Sequence, residues 1–257
     1  DETLASGAMR LLCGVLKYNT LIKALNLSGR GITPDSASIL AIAVKANSTI
    51  TSLDISDNPL SDVAMYNTDK DEPNQELLEG DSFGSVSEAA TKKVDIKGLS
   101  GLAEAVKLST SLTAITLEST KGSTLPIGTL RGDGAKKAHI VDLARKGLSF
   151  ISAIFVGILI RSNTHFTELA LSSNELTASG ATGIITSLSK SIKFLDISNI
   201  VFVEDRSKAD KKDTKLTSAA ITAVPQQPLL KLWAAVSELG ALEKLERLTM
   251  DRNHITR

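Results

Sequence analysis

Aromatic side chains make up only 4% of this chain, with a single tryptophan. A surface that stacks successive bases needs aromatic platforms, so base-stacking nucleic-acid recognition is disfavoured. Neither sign of charge prevails: 29 Lys and Arg stand against 29 Asp and Glu. No global field then draws the chain toward nucleic acid or an acidic partner. Cys13 is the sole cysteine, so no disulfide can form within the chain, which points to a reducing compartment. The most apolar stretch, Phe150–Ile160, falls well short of the roughly 20 residues that span a bilayer. There are three histidines, His139, His165 and His254, with no paired metal-ligand spacing. A G-x-x-x-x-G-K-[ST] phosphate loop is missing; Gly132–Lys137 lacks its spacing and its hydroxyl and reads as a surface turn.

What the chain does have is an internal repeat. The clearest copies are IKALNLSGRGI at Ile22–Ile32, ITSLDISDNPL at Ile50–Leu60 and FTELALSSNEL at Phe166–Leu176. Weaker copies begin at Leu112, Ile192 and Leu245. The middle apolar position is Leu25, Leu53, Ile115, Leu169, Leu195 and Leu248, in steps of 28, 62, 54, 26 and 53 residues. Three steps exceed one repeat by similar amounts, which predicts insertions at about 63–97, 121–146 and 201–228. Ahead of each strand lies a helical stripe of apolar residues: Leu12, Cys13, Val15 and Leu16, then Leu40, Ala41, Ala43 and Val44, then Leu102, Ala103, Ala105 and Val106. Val156, Leu159 and Ile160 continue it, and Ala235, Val236 and Leu239 end it, while the Leu195 copy fits poorly. Cys13 therefore reads as a core residue, and Phe150–Ile160 as a repeat helix buried on several sides, its cover completed by an insertion or a partner.

The pattern L-x-x-L-x-L-x-x-N-x-L resembles the leucine-rich repeat family in its long, ribonuclease-inhibitor-like form. That resemblance implies an α/β fold: a right-handed solenoid with a parallel concave sheet and convex helices, one domain over residues 1–257. Neighbouring repeats must stack, because none buries its own apolar side; each leucine buried contributes about 1.5–3 kcal/mol. Asn19, Asn47 and Asn163 stand three residues before the strand's opening apolar residue, and Asn58, Asn174 and Asn253 where the chain leaves the strand. In the family such asparagines bond backbone groups of adjacent turns. Arg30, Thr120 and Ile200 replace the second column in other copies, so the ladder is expected to be imperfect there. The chain starts and ends inside repeats, which suggests a segment of a longer protein.

Alternation along the strands predicts an exposed concave row. It runs Lys23, Asn26 and Ser28; Ser52, Asp54 and Ser56; Ala114, Thr116 and Glu118; Glu168, Ala170 and Ser172; Phe194, Asp196 and Ser198; Arg247, Thr249 and Asp251. Six strands at about 4.8 Å give a sheet roughly 24 Å wide. Candidate protein-binding residues on it are Asp54, Glu118, Glu168, Phe194, Asp196, Arg247 and Asp251, with acids that suit a basic partner patch. The insertions, emerging on one side, are a second candidate face. V-D-I at Val94–Ile96 and V-D-L at Val141–Leu143 could add short strands, each followed by K-G-L-S leading into a helix. The R-G-D triplet at Arg131–Asp133 and the sequons at Asn26 and Asn47 have ordinary structural readings.

These features together indicate a non-catalytic protein-interaction scaffold, a subunit of a larger hetero-complex. The expected location is cytoplasmic, with a cytoskeletal or ciliary assembly as its setting. No metal, cofactor, nucleic acid or membrane insertion is expected. Resemblance keeps two alternatives open: a GTPase-activating protein of the Ran type using Arg30, and the ligand-sensing repeats of an innate-immune-type receptor.

Overall fold

A computed structural model describes residues 2–60, 96–133, 138–200, 232, 234–237, 245–251 and 253. The chain alternates helix and strand: α1 (Glu2–Tyr18), β1 (Ala24–Asn26), α2 (Pro34–Ala46), β2 (Ser52–Asp54), α3 (Lys97–Leu108) and β3 (Ala114–Thr116). It continues through β4 (Leu125–Pro126), α4 (Ile127–Arg131), β5 (Ile140–Asp142), α5 (Phe150–Ile160), β6 (Glu168–Ala170), α6 (Ala178–Thr186), β7 (Phe194–Asp196) and β8 (Arg247–Thr249). Parallel strands joined through helices give an α/β, solenoid-like succession. All six expected strand centres pair in one register where they adjoin: Leu25 with Leu53, Leu53 with Ile115, Leu169 with Leu195, Leu195 with Leu248.

The expected second insertion is corrected. Residues 121–146 contain β4, α4 and β5, and Val141 pairs with Leu169 as the next repeat strand. The 54-residue step is thus two ordinary steps of 26 and 28. This repeat escapes the leucine pattern because Val141 and Leu143 fill its inward positions and its helix has five residues. The other two long steps behave differently. β2 pairs directly with β3, and β7 with β8, so no strand intervenes at either place. Residues 61–95 and 201–231, with Val94, lie outside the described residues.

The single six-stranded parallel sheet is corrected as well. Two four-stranded sheets form, β1-β2-β3-β4 and β5-β6-β7-β8. β4 runs antiparallel to β3, pairing Ile115 with Leu125, and so occupies the edge that β5 would otherwise take. The helix layer bridges this break: α3 packs on α4 and α5, and α5 packs on α6. That explains the apolar run at 150–160. Residues 152–160 are all buried by neighbouring helices of the same chain, with no outside partner required.

Inside the two layers, Leu53, Ile55, Ile115, Leu169 and Leu195 meet Leu40, Leu102, Val106, Leu159 and Ile184, all essentially fully buried. Helix starts follow local chemistry. Thr33, Ser149 and Thr177 cap α2, α5 and α6 by accepting from Ser36 N, Ile151 N and Gly180 N. The Leu195 copy, which fits the stripe poorly, still has its helix in α6. The two K-G-L-S tetrapeptides diverge. Lys97–Ser100 lies inside α3, where Gly98 nestles on α2 so closely that a Cβ would stand 1.9 Å from Pro34 O. Lys146–Ser149 precedes α5, with Gly147 at φ 64 and Ser149 as the cap. On α1, Cys13 and Leu16 are buried as expected, but Val15 is 62% exposed. Among the described residues, no helix is long and apolar enough to cross a membrane.

Candidate functional site

The asparagine columns are structural throughout the described residues. Asn174 is the fullest case: Nδ2 donates to Leu143 O at 2.8 Å and Leu171 O at 2.7 Å, while Oδ1 accepts from Lys146 N and Leu148 N at 3.1 Å. Asn58 and Asn253 repeat the arrangement, taking Ile32 N and Ile200 N at 2.9 and 2.8 Å. The Ile200 repeat, which offers no side-chain partner itself, is thus served by the asparagine of the next. In the other column, Asn47 Nδ2 reaches Leu16 O and Asn163 Nδ2 reaches Leu130 O in the preceding unit. Asn19 Oδ1 accepts from Leu21 N and Ile22 N, at 3.0 and 2.7 Å.

Next to these columns lies a turn. Gly29, Asp57, Arg145, Ser173 and Asn199, in five of the repeats, all have φ between 50 and 62, four residues after the strand centre. The carboxylate or amide just after the strand centre closes the same turn. Asn26, Asp54, Asp142 and Asp196 each accept from the backbone N–H two residues on, at 2.9–3.0 Å. This is an Asx turn. Of the acids expected to bind a partner, Asp54 and Asp196 therefore have one oxygen already engaged.

The remaining candidates fall on two different surfaces. On the first sheet, Lys23 lies before the strand, and Ala24 holds the register position opposite Ser52. Asp54 is partly buried under Asn26 and Ser56, at 3.4 and 2.7 Å. Glu118 is half-buried and turned toward the next repeat helix. Its Oε1 accepts from Ser149 N, Ser149 Oγ and Ser152 Oγ, at the N-terminus of α5. There it offsets the exposed N–H groups and the helix dipole, and it ties β3 to α5 across the sheet break.

On the second sheet, Glu168, Phe194 and Arg247 share one row in register. The Arg247 guanidinium lies 4.6 Å from the Phe194 ring centroid, within cation–π range. Beside them Lys193 Nζ meets Glu246 Oε1 at 2.6 Å. β5 extends the row with Ile140, which is 59% exposed, and adds Asp142 to the acidic column. Both were legible only through the 26- and 28-residue spacing around Val141. Asp196 and Asp251 complete the acidic margin, with Asp251 N donating to Ser198 Oγ at 3.2 Å. The face thus carries two apolar side chains, one stacked arginine and several carboxylates.

Other motifs resolve structurally. Arg131 Nη1 donates to Val106 O, Lys107 O and Ser109 O, capping the C-terminus of α3. Its Nε forms an ion pair with Asp133 Oδ2 at 3.0 Å, and its side chain is only 12% exposed, so the R-G-D arginine is turned inward. Burial pushes the Cys13 thiol up to about 11. Among the described residues no group of three or more His, Cys, Asp or Glu is placed to hold a metal ion. His254 and residues 134–137 lie outside them.

No curated protein matches this sequence. Among solved structures, the chain is similar to a tropomodulin C-terminal domain from Caenorhabditis elegans at 10% identity, over 95% of this chain and 82% of that one, with a TM-score of 0.27. It is also similar to the Leiomodin-1 Actin-Binding Site 2 at 8% identity, over 89% and 87%, with a TM-score of 0.22. Scores this low carry no argument about this chain. Residues 46–66 and 162–184, the two stretches in which both asparagine columns are filled, match the family model described as Leucine Rich repeat.

Proposed function

We propose that this chain is a non-catalytic protein-interaction scaffold, a right-handed leucine-rich repeat solenoid that serves as a subunit of a larger cytoplasmic or cytoskeletal assembly. Right-handed crossovers are the rule for parallel strands. The observation that carries the reading is the exposed row of the second sheet. Ile140 and Phe194 supply apolar contact there, Arg247 stacks on Phe194, and Asp142, Glu168, Asp196 and Asp251 surround them. Such a face suits a partner with an apolar knob inside a Lys- or Arg-rich rim. Asp54 and Glu118, engaged within the fold, are no part of it.

The test is affinity capture from the native source with wild type and with Ile140→Asp/Phe194→Ala, followed by cross-linking mass spectrometry. Stable partners lost by the double variant are the expected result. An unchanged partner set would move the site off this sheet, and no retained partner would sink the scaffold role. Cross-links from Lys92 or Lys211 would instead assign the first or third expected insertion as the contact.

One observation favours a second reading. Arg30 is exposed at the tip of a Gly-Arg-Gly turn whose glycines have φ 62 and 69. An arginine so displayed could enter the phosphoryl-transfer site of a partner GTPase. Ran-type GTP hydrolysis stimulated by wild type and abolished in Arg30→Ala would support it; no stimulation by wild type ends it.

A further inference from the structure

The edge at which each internal helix runs on into its strand carries charge of one sign. Eight residues before the strand centres Leu53, Ile115 and Leu169 stand Lys45, Lys107 and Arg161. In the Leu195 repeat that position is Ser187, and the cation stands three residues on, at Lys190. The helices that end here pack in succession, α2 on α3, α3 on α5 and α5 on α6. The sheet break does not interrupt their ends. Asn163, just past α5, bonds Thr129 O and Leu130 O, and the adjoining Arg131 bonds Val106 O and Lys107 O at the end of α3. Packed helices lie about 8–10 Å apart, so the four cations form a row roughly 30 Å long.

This row is not spent on the fold. Lys45, Arg161 and Lys190 are exposed and Lys107 is half-buried, and none has a hydrogen bond or ion pair among the described residues. A cation in a last helical turn suits the helix dipole, but Lys190 stands four residues past the end of α6. Nor are the cations caps. Arg131 takes the carbonyls ending α3, Ser111 Oγ that of Asn47, and Asn163 N that of Ile160. The acids of this edge are already matched. From nine to two residues before the strand centres, the described residues include two, Asp133 and Glu246, paired with Arg131 and Lys193. Glu104, one turn before Lys107, forms no ion pair among the described residues. The opposite edge mixes signs, with Lys121, Arg145 and Lys146 beside Asp57, Glu118 and Glu175.

We propose that the helix-to-strand edge binds an extended, Asp- and Glu-rich segment of a partner protein. Lys45, Lys107, Arg161 and Lys190 meet its carboxylates, and the exposed hydroxyls of Ser48, Thr110 and Thr164, each three residues after a cation, donate beside them. An extended chain rises about 3.3 Å per residue with alternate side chains on one side, so about ten residues cover the row. Other polyanions fit less well. Single-stranded nucleic acid uses aromatic platforms, and the described residues of this edge in these four repeats expose no Phe, Tyr or Trp. A membrane takes up apolar side chains, and Leu108 is the single large one exposed there among the described residues. This edge is separate from the exposed row of the second sheet, so either can fail without the other.

Fluorescence anisotropy of the whole chain with two labelled peptides of about twelve residues, one of Asp and Glu and one of Lys and Arg, tests it. The acidic peptide should bind at least tenfold more tightly, and its affinity should fall as salt rises. Lys45→Glu/Arg161→Glu should weaken it more than tenfold, and Lys190→Glu several-fold. Lys121→Glu/Arg145→Glu makes the same change of net charge on the opposite edge and should alter binding less than twofold. All five positions are exposed, and retention of the wild-type circular dichroism spectrum checks each fold. The proposal is overturned if the acidic peptide does not bind, if the two double variants weaken it equally, or if Lys45→Glu/Arg161→Glu binds normally. Duplex DNA or phosphatidylserine vesicles that bind through these residues more tightly than the peptide would overturn it in favour of that ligand.

Discussion

Single side chains set the spacing between repeats. Asn174 is buried and bonds four backbone groups in two successive repeats. Asn174→Ala strands those groups without water, so a loss of about 3 kcal/mol is expected in chemical unfolding. Arg145 presents the reverse case. It holds φ 57, a region that costs a side-chain-bearing residue about 1 kcal/mol, and Arg145→Gly should raise the melting temperature by a few degrees. Cys13 adds a pH dependence. Its thiol is raised from 9.0 to about 11 by burial, so the unfolded chain loses that proton first as pH rises. Its contribution is intact below about pH 9 and falls away between 9 and 11. Cys13→Ala should flatten that part of the stability curve. The asparagine columns were readable from sequence because they recur at fixed offsets. The role of Glu118 was not, since its three partners lie 31 and 34 residues away, beyond a strand the leucine pattern did not reveal.

Elements depend on close approach more than on propensity. α2 and α3 meet at Gly98, where any side chain drives into the Pro34 carbonyl. Gly98→Ala should cost about 1–3 kcal/mol by forcing these helices apart, measurable as a drop in the urea midpoint. Gly101, on the same helix, is the matching control, because a methyl group there would meet nothing within 4 Å. Gly101→Ala should be neutral or mildly stabilising. Strands and helices were legible wherever leucine spacing and stripe agreed. They were misread where a five-residue helix replaced a full one, because α4 offers too short a period to recognise and Val141 replaces the diagnostic leucine. Identical K-G-L-S peptides adopt different roles for the same reason: the neighbours, Pro34 in one case and Thr120 in the other, decide.

At the scale of the molecule, the 28-residue step is the unit of construction. Leu53 and Ile115 pair directly although 62 residues separate them. Deleting 34 residues within 61–95 restores the 28-residue step seen between Leu25 and Leu53. The shortened chain should keep its α/β circular dichroism spectrum and melt within a few degrees of the full chain. The candidate face was half visible in advance. Glu168, Phe194 and Arg247 were found by alternation, whereas Ile140 and Asp142 required knowing that β5 joins the sheet. Which acids remain available could not be read from the sequence, because the Asx turns that occupy them depend on the backbone path after each strand.

The antiparallel β4 has a mechanical consequence. At β1–β2, β2–β3 and β6–β7, adjoining repeats are held by backbone hydrogen bonds on one side and packed helices on the other. Between β3 and β5 the first connection is missing, and contacts of α3, α4 and α5, with the Glu118 tie and side-chain bonds such as Lys146 Nζ to Gly122 O, carry the load. Such contacts shear and slide over short distances more readily than a ladder of directional bonds. A pull applied to the two ends would therefore open the molecule at this seam first, leaving the halves on either side intact.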